Sequence, residues 1–331
     1  KIGNMTYNCK YGYYYYDDPN HKHAVTRVVK NGVTIDTYSY DENGNMLSGA
    51  GRTLTYDYDN RPTSIIYNSM ALISVYDAGG NRVKKITPNS TTTYIGQLYE
   101  CTSGTCTKYI FAGSQRIANI SGTESYYYHT DHLGSSNIIT DKNGNKVEDI
   151  FYYPYGEMKF HTGTINVRHK FTGQELDAET GLYYYGARYY DPKLARFISA
   201  DSIVPDPYNP QSLNRYTYVL NNPLLYVDPT GHGFWKTVLG IVEVVVGAVL
   251  AIVGSIYNPY VAAAGIALMA VGVETLGGNV NISTSTQVAE FGGGGGPGNS
   301  VDFNYTGPGS GYRGGYGGGS GGGGPGVSLG G

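Results

Sequence analysis

Charge is what this sequence has least of. Only 15% of its 331 residues are Asp, Glu, Lys or Arg, and the net charge is -3. A surface so short of Lys and Arg offers no electrostatic footprint for a phosphate backbone, which argues against nucleic acid as a partner. Cysteine is nearly absent, with Cys9, Cys101 and Cys106 alone. No second cysteine pair or adjacent histidine set accompanies them, so no zinc site is expected. Cys101 and Cys106 flank Thr-Ser-Gly-Thr in a strand-like context, which leaves two readings: a disulfide at a hairpin tip, or two free thiols. No lysine-bearing glycine loop stands between a strand and a helix, so a phosphate loop is missing and no cofactor is expected. The first residues show no charged leader followed by an apolar run. Either a targeting segment has been removed or the chain continues something longer.

Helix formers are also scarce before residue 234, where Tyr, Thr, Val, Ile, Asn, Asp and Gly dominate. That is the vocabulary of short strands and tight turns, and it predicts a mainly β protein. "YDENGN" begins at Tyr40, "YDNRPT" at Tyr58 and "YDAGGN" at Tyr76, giving a Tyr-Asp pair every 18 residues after alternating sequence. Each unit reads as a hairpin that cannot bury its apolar face alone, so stacked hairpins forming one continuous sheet are expected. A second alternating block runs over 91–155, with "DKNGN" at 141–145 as its clearest turn. In the third block, "GQELDAETG" reads as a capped turn or a single helical turn between strands.

Composition switches after residue 233. Residues 237–256 are long enough to cross a hydrocarbon core as a helix, 260–273 are short for it, and Asn258-Pro259 breaks the two. Gly240, Gly247 and Gly254 recur every seven residues, which would allow close helix packing and predicts a hydrophobic helical hairpin. The Gly-rich tail, 292–331, has no core of its own. The expected organisation is 1–90 YD-repeat strands, 91–232 a core domain, 233–291 the hairpin and 292–331 the tail.

The YD units, then "YYHTDHLGS" (127–135), "YYPYGE" (152–157), "FTGQELDAETGLYYYGARYYDP" (171–192), "RFISAD" (196–201) and "NRYTYVLNNPLLYVDPTG" (214–231) closely resemble the Rhs family of YD-repeat proteins and its repeat-associated core domain. That resemblance covers about residues 30–232 and implies a β-hairpin ribbon spiralling into a shell, or cocoon, closed by a core-domain plug. It places a variable, cargo-like region after the plug. It implies a secreted or cell-surface location, upstream shell repeats or other copies of the chain as partners, and immunity or secretion partners.

The resemblance also implies an aspartyl autoprotease that cuts just after His232. Asp201 and Asp228 fall on its two motif carboxylates, with Arg196 as the candidate that orients one of them. Two carboxylates forced together share a proton, leaving one able to activate water and the other able to polarise a carbonyl. The plainer alternative is that each Asp caps its own turn and that Arg196 lies on a sheet face. His232 stands where relatives usually carry a bulky apolar residue, and Ala195 replaces a usual turn glycine. His129, Asp131 and His132 suggest a metal site on paper, but they sit on a motif that needs a turn. After residue 233 the charged residues are too few for a hydrolytic effector. The hairpin then has three readings: a membrane-active effector contacting lipid through 237–273, a buried seal, or a subunit contact in an extracellular filament or matrix assembly with no catalysis.

Overall fold

The computed structural model describes residues 3–163, 165, 167–204 and 207–232, together with the backbone of 279–284 and 301–306. One turn chemistry, repeated, shapes most of it. At Asp41 the backbone N–H donates to the Asn45 carbonyl at 2.9 Å, and the Asp41 carbonyl accepts from the Gly44 N–H at 3.0 Å. Its side-chain Oδ1 accepts the amides of Asn43 and Asn45 at 3.0 Å and 2.8 Å. The same closure recurs at Asp57, Asp77, Asp131 and Asp141. Aspartate does this because its short carboxylate reaches the amides two and four residues on, while a positive-φ glycine or asparagine reverses the chain.

The tyrosine before the aspartate supplies the stacking. Its ring covers the preceding hairpin and its hydroxyl donates to a carbonyl there: Tyr40 to Val25 at 2.9 Å, Tyr56 to Met46 at 2.9 Å and Tyr76 to Pro62 at 2.7 Å. Buried tyrosine thus brings apolar area and a satisfied polar tip together. One detail of the repeat is corrected. The middle turn is capped by Asp57 and stitched by Tyr56, while Tyr58 is fully exposed. The working turns are unevenly spaced, and the constant interval of 18 between Tyr40, Tyr58 and Tyr76 is a coincidence of letters in "YDYD".

These hairpins form a 17-stranded sheet, β1 (Tyr7–Asn8) to β17 (Met158–Gly163), in which each strand pairs antiparallel with the next. Laid flat, 17 strands would extend on the order of 80 Å at about 4.8 Å per strand. The sheet is instead curled, because strands from both ends touch one short segment. Residues 170–200 accept the Tyr14 hydroxyl (Lys193 carbonyl, 3.0 Å) and the Met46 N–H (Ile198 carbonyl, 3.0 Å), and they also accept the Ser136 N–H (Lys170 carbonyl, 3.0 Å). Lys10, near β1, pairs with Glu157, between the last two strands, at 2.7 Å. This is the expected YD-repeat shell.

The enclosed segment is the plug. Its four short strands are β18 (Glu175–Asp177), β19 (Leu182–Tyr184), β20 (Tyr189–Asp191) and β21 (Arg196–Phe197). Phe171, Tyr183, Tyr185, Tyr190, Phe197 and Tyr218 form its core, with neighbouring ring centroids 4.7–6.1 Å apart and mostly tilted or edge-on. "GQELDAETG" resolves into β18 followed by a turn that Thr180 and Gly181 close on the Asp177 carbonyl; the brief helical turn lies earlier, at Phe171–Gly173.

Cys101 and Cys106 form the hairpin disulfide, and Cys9 is free and exposed. Ala195 takes a φ of 57°, a left-handed conformation that suits glycine. Ala195→Gly is therefore expected to stabilise the shell by about 1 kcal/mol, read as a shift in the denaturant midpoint at unchanged slope. A drop in stability would show that the left-handed backbone at Ala195 carries no strain. Further along, β22 (Asn279–Thr284) and β23 (Val301–Thr306) pair antiparallel, so the Gly-rich tail contributes a strand. The helical hairpin expected over 237–273 lies outside the described residues. Among the described residues no helix is long and apolar enough to cross a membrane.

Candidate functional site

Asp201 is placed by the last pairings of the plug. Phe197 donates its N–H to the Tyr216 carbonyl and Asp201 donates to the Arg215 carbonyl, each at 3.0 Å. The Arg215 guanidinium returns a bond to the Asp201 carbonyl at 3.0 Å. Asp228 is placed by its own turn, where Oδ1 accepts the amides of Thr230 and Gly231 at 3.2 Å and 2.7 Å. Gly231 has a φ of +80°, and an added Cβ would fall 2.9 Å from the Tyr185 carbonyl oxygen. No side chain fits there, so the close passage of the chain over Tyr185 requires glycine.

The two carboxylates, 5% and 2% exposed, converge on one cation that the sequence reading did not select. Arg188 Nη2 lies 2.7 Å from Asp201 Oδ2 and 3.7 Å from Asp228 Oδ2. The same guanidinium donates from Nε to the Gly231 carbonyl and from Nη1 to the Arg215 carbonyl at 2.8 Å, and it stacks 3.7 Å from the Phe197 ring centroid. Burial pushes the Arg188 guanidinium down from the usual arginine range, while Asp201 and Asp228 push it back up. An arginine fork suits this position because it can hold two carboxylates and two carbonyls at once, where a lysine ammonium could not.

Arg196 is not brought to either carboxylate. It points to the Asn214 Oδ1 and the Gly3 carbonyl, both at 3.3 Å, and lies 5.3 Å from the Tyr16 ring centroid. The physical reason is strand alternation: Arg196 and Phe197 face opposite ways on β21, and it is Phe197 that faces Arg188. The signal that could have found Arg188 is its place as the lone cation in "LYYYGARYYDP", where tyrosines on both sides bury it.

His232 departs from the pattern with a consequence: its Nδ1 lies 2.9 Å from Asp201 Oδ1, an oxygen that also accepts the Ile203 amide at 3.0 Å. The turn-capping reading of the two aspartates therefore holds together with their convergence. Asp131 caps a turn, His132 Nε2 meets the Leu224 carbonyl at 2.9 Å and His129 meets Thr140. Among the described residues no group of three metal-ligating side chains is found.

A second buried charge cluster ties plug to shell. Arg82 on β9 (Arg82–Thr87) reaches Glu175 and Asp177 at 2.6 Å each, and Lys85 reaches the same two carboxylates at 3.0 Å and 2.8 Å. Arg52 holds Asp191 at 2.6 Å. Every member is 5% exposed or less. Burial raises the Glu175 carboxyl, but the Arg82 and Lys85 cations outweigh it and hold the group at about 2.

The Teneurin YD-shell family matches residues 72–224. The tRNA3(Ser)-specific nuclease WapA of Bacillus spizizenii is 33% identical over 224 residues, which is 62% of this chain and 10% of that protein. The toxin subunit YenC2 of Yersinia entomophaga is 40% identical over 102 residues, 29% of this chain and 10% of its own. A Photorhabdus luminescens Tc holotoxin pore structure aligns with a TM-score of 0.52 at 23% identity, covering 58% of this chain and 10% of that one, which shows a shared fold. The chain thus spans about a tenth of the length of these relatives. Stitched YD turns, a curled sheet around a tyrosine-rich plug and these matches agree: over this region the chain resembles the Rhs/YD-repeat family, with its polymorphic toxins and toxin-complex components.

Proposed function

We propose that this chain is a shell segment of a secreted or surface Rhs-like protein, and that Asp201 and Asp228 cut it near 232/233, where it leaves the plug. The observation that carries the reading is the convergence of both buried carboxylates on Arg188, which also grips the carbonyl of Gly231, one residue before His232. The chemistry is hydrolysis. One carboxylate takes a proton from water, the water oxygen adds to the peptide carbonyl carbon, the C–N bond breaks, and the other carboxyl delivers a proton to the departing amine. This division of roles requires one carboxyl of the pair to carry a proton and the other to be free of it. His232 occupies Asp201 Oδ1 and must leave it.

Intact mass spectrometry of the full chain tests the reading. Wild type is expected to yield two fragments joined near 232/233, while D201N and D228N stay whole and His232→Leu, which frees Asp201, is cut faster. One intact species throughout would overturn it.

A second reading has its own support. Asp201 accepts Ile203, His232 and Arg188, and Asp228 caps its turn, so the cluster also suits a latch in a non-catalytic subunit of an extracellular assembly. In either case the partners are upstream shell repeats, further copies of the chain or other toxin-complex components. In the cleaving case the region after 233 is a membrane-active effector, for which liposome leakage by the released fragment is the assay.

A further inference from the structure

Beside the carboxylate pair lie two hydroxyls with nothing to bond. Arg188, Asp201 and Asp228 line a cavity that Ser212 and Thr217 also line. Ser212 is 4% exposed, and its Oγ is buried without a hydrogen-bond partner; Thr217 Oγ1 is in the same condition. Among the described residues these are the two serine or threonine hydroxyls so placed, and both face one cavity. Other interior hydroxyls are satisfied: Ser136 donates to the His169 carbonyl at 2.9 Å, Thr172 meets the Tyr185 hydroxyl at 2.9 Å and Thr92 meets Thr102 at 2.9 Å.

The local turns do not require these side chains. Ser212 and Thr217 donate their backbone N–H groups to the carbonyls of Asn209 and Asn214, at 2.9 Å and 3.2 Å, with no use of the hydroxyl. A buried polar group left without a partner is destabilising, whereas alanine or valine would fill the same space without that cost. Such an arrangement makes sense when the partner arrives with the ligand.

We propose that Ser212 and Thr217 are a main-chain docking subsite, which holds an extended peptide segment against Asp201 and Asp228. The inference rests on the cleavage proposed above and names how the cut segment is bound. Peptide is the chemistry that fits. A hydroxyl both donates to a carbonyl and accepts from an N–H, and an extended main chain offers both groups whatever its side chains are.

The test uses the full chain, with cleavage rate by intact mass and melting temperature measured side by side for wild type, Ser212→Ala, Thr217→Val and Thr217→Ser. Ser212→Ala and Thr217→Val are each expected to slow cleavage on the order of tenfold with the melting temperature unchanged or raised, because a lost hydrogen bond is worth about that much. Thr217→Ser keeps the hydroxyl and is expected to retain the rate. Cleavage of all three variants at the wild-type rate would overturn the subsite and leave the carboxylate reading standing. So would a rate loss in Thr217→Ser equal to that of Thr217→Val, or a rate loss that tracks a lower melting temperature. A wild-type chain that is never cut overturns both.

Discussion

Replacing Arg188 with methionine is expected to destabilise the folded chain by about 3–5 kcal/mol at neutral pH, the usual cost of removing one partner from a buried charge cluster. The side chain holds Asp201 Oδ2 at 2.7 Å and lies 3.7 Å from Asp228 Oδ2, in a site where both carboxylates are nearly inaccessible. Without the cation, two like charges face each other in low dielectric, and one must take up a proton. That gives the variant a signature of its own. A carboxyl whose folded pKa rises above its unfolded value adds stability at acid pH, and that stability is lost as pH rises through the folded value. Arg188→Met should therefore lose stability relative to wild type as pH rises above the ordinary carboxylate range. Arg188→Lys should recover little, since an ammonium cannot also satisfy the carbonyls of Gly231 and Arg215. Denaturant melts at several pH values decide the matter, and a deficit independent of pH would show that the two carboxylates do not share the arginine.

Arg82→Met is expected to cost a similar amount, about 3–5 kcal/mol, through a different interface. Arg82 and Lys85 balance Glu175 and Asp177, so losing Arg82 leaves one buried negative charge without an opposite. Adding Glu175→Gln should restore part of the loss, which a simple packing defect would not allow. The same cluster sets the acid behaviour of the wild type. Glu175 is held at about 2, below an ordinary glutamate, so its contribution is present above about pH 4.5 and fades as pH falls towards 2. His169 acts earlier. Burial, with Arg116 beside it, keeps it neutral well below the ordinary imidazole range, so stability begins to fall once the unfolded chain can protonate that histidine, below about pH 6.5. Glu100 opposes both, because burial raises its carboxyl even against Arg168. The net expectation is a loss of stability on acidification that is smaller in Arg82→Met, measured by the same melts.

The fold was legible because its signals are local. An Asp that caps its own turn and a Tyr that reaches the previous hairpin leave a pattern within one repeat, and a continuous sheet follows from stacking such units; the curled shell with its plug was implied by the family resemblance. The register of the middle turn was not legible, since "YDYD" offers two equivalent pairs and only packing leaves Tyr58 outside and Tyr56 inside. At the site, Asp201 and Asp228 could be placed by motif, and the tyrosine-flanked Arg188 could be marked as a buried cation, but not as the one they share. Arg188 and Arg196 both flank tyrosine or phenylalanine, and which one reaches the carboxylates depends on the faces that β20 and β21 present after the plug has folded. The unpaired Ser212 and Thr217 hydroxyls were equally hidden, because a missing partner is a property of the assembled cavity.

Cleavage in water enriched in oxygen-18, followed by mass spectrometry of the fragment that ends near residue 232, puts the proposed chemistry to its most direct test. If Asp201 and Asp228 activate water, the new carboxyl terminus of the wild-type fragment carries one heavy oxygen, and D228N gives no fragment at all. An uncut wild-type chain, a fragment without the label, or equal cutting in D228N would contradict a carboxylate pair that hydrolyses the chain where it leaves the plug.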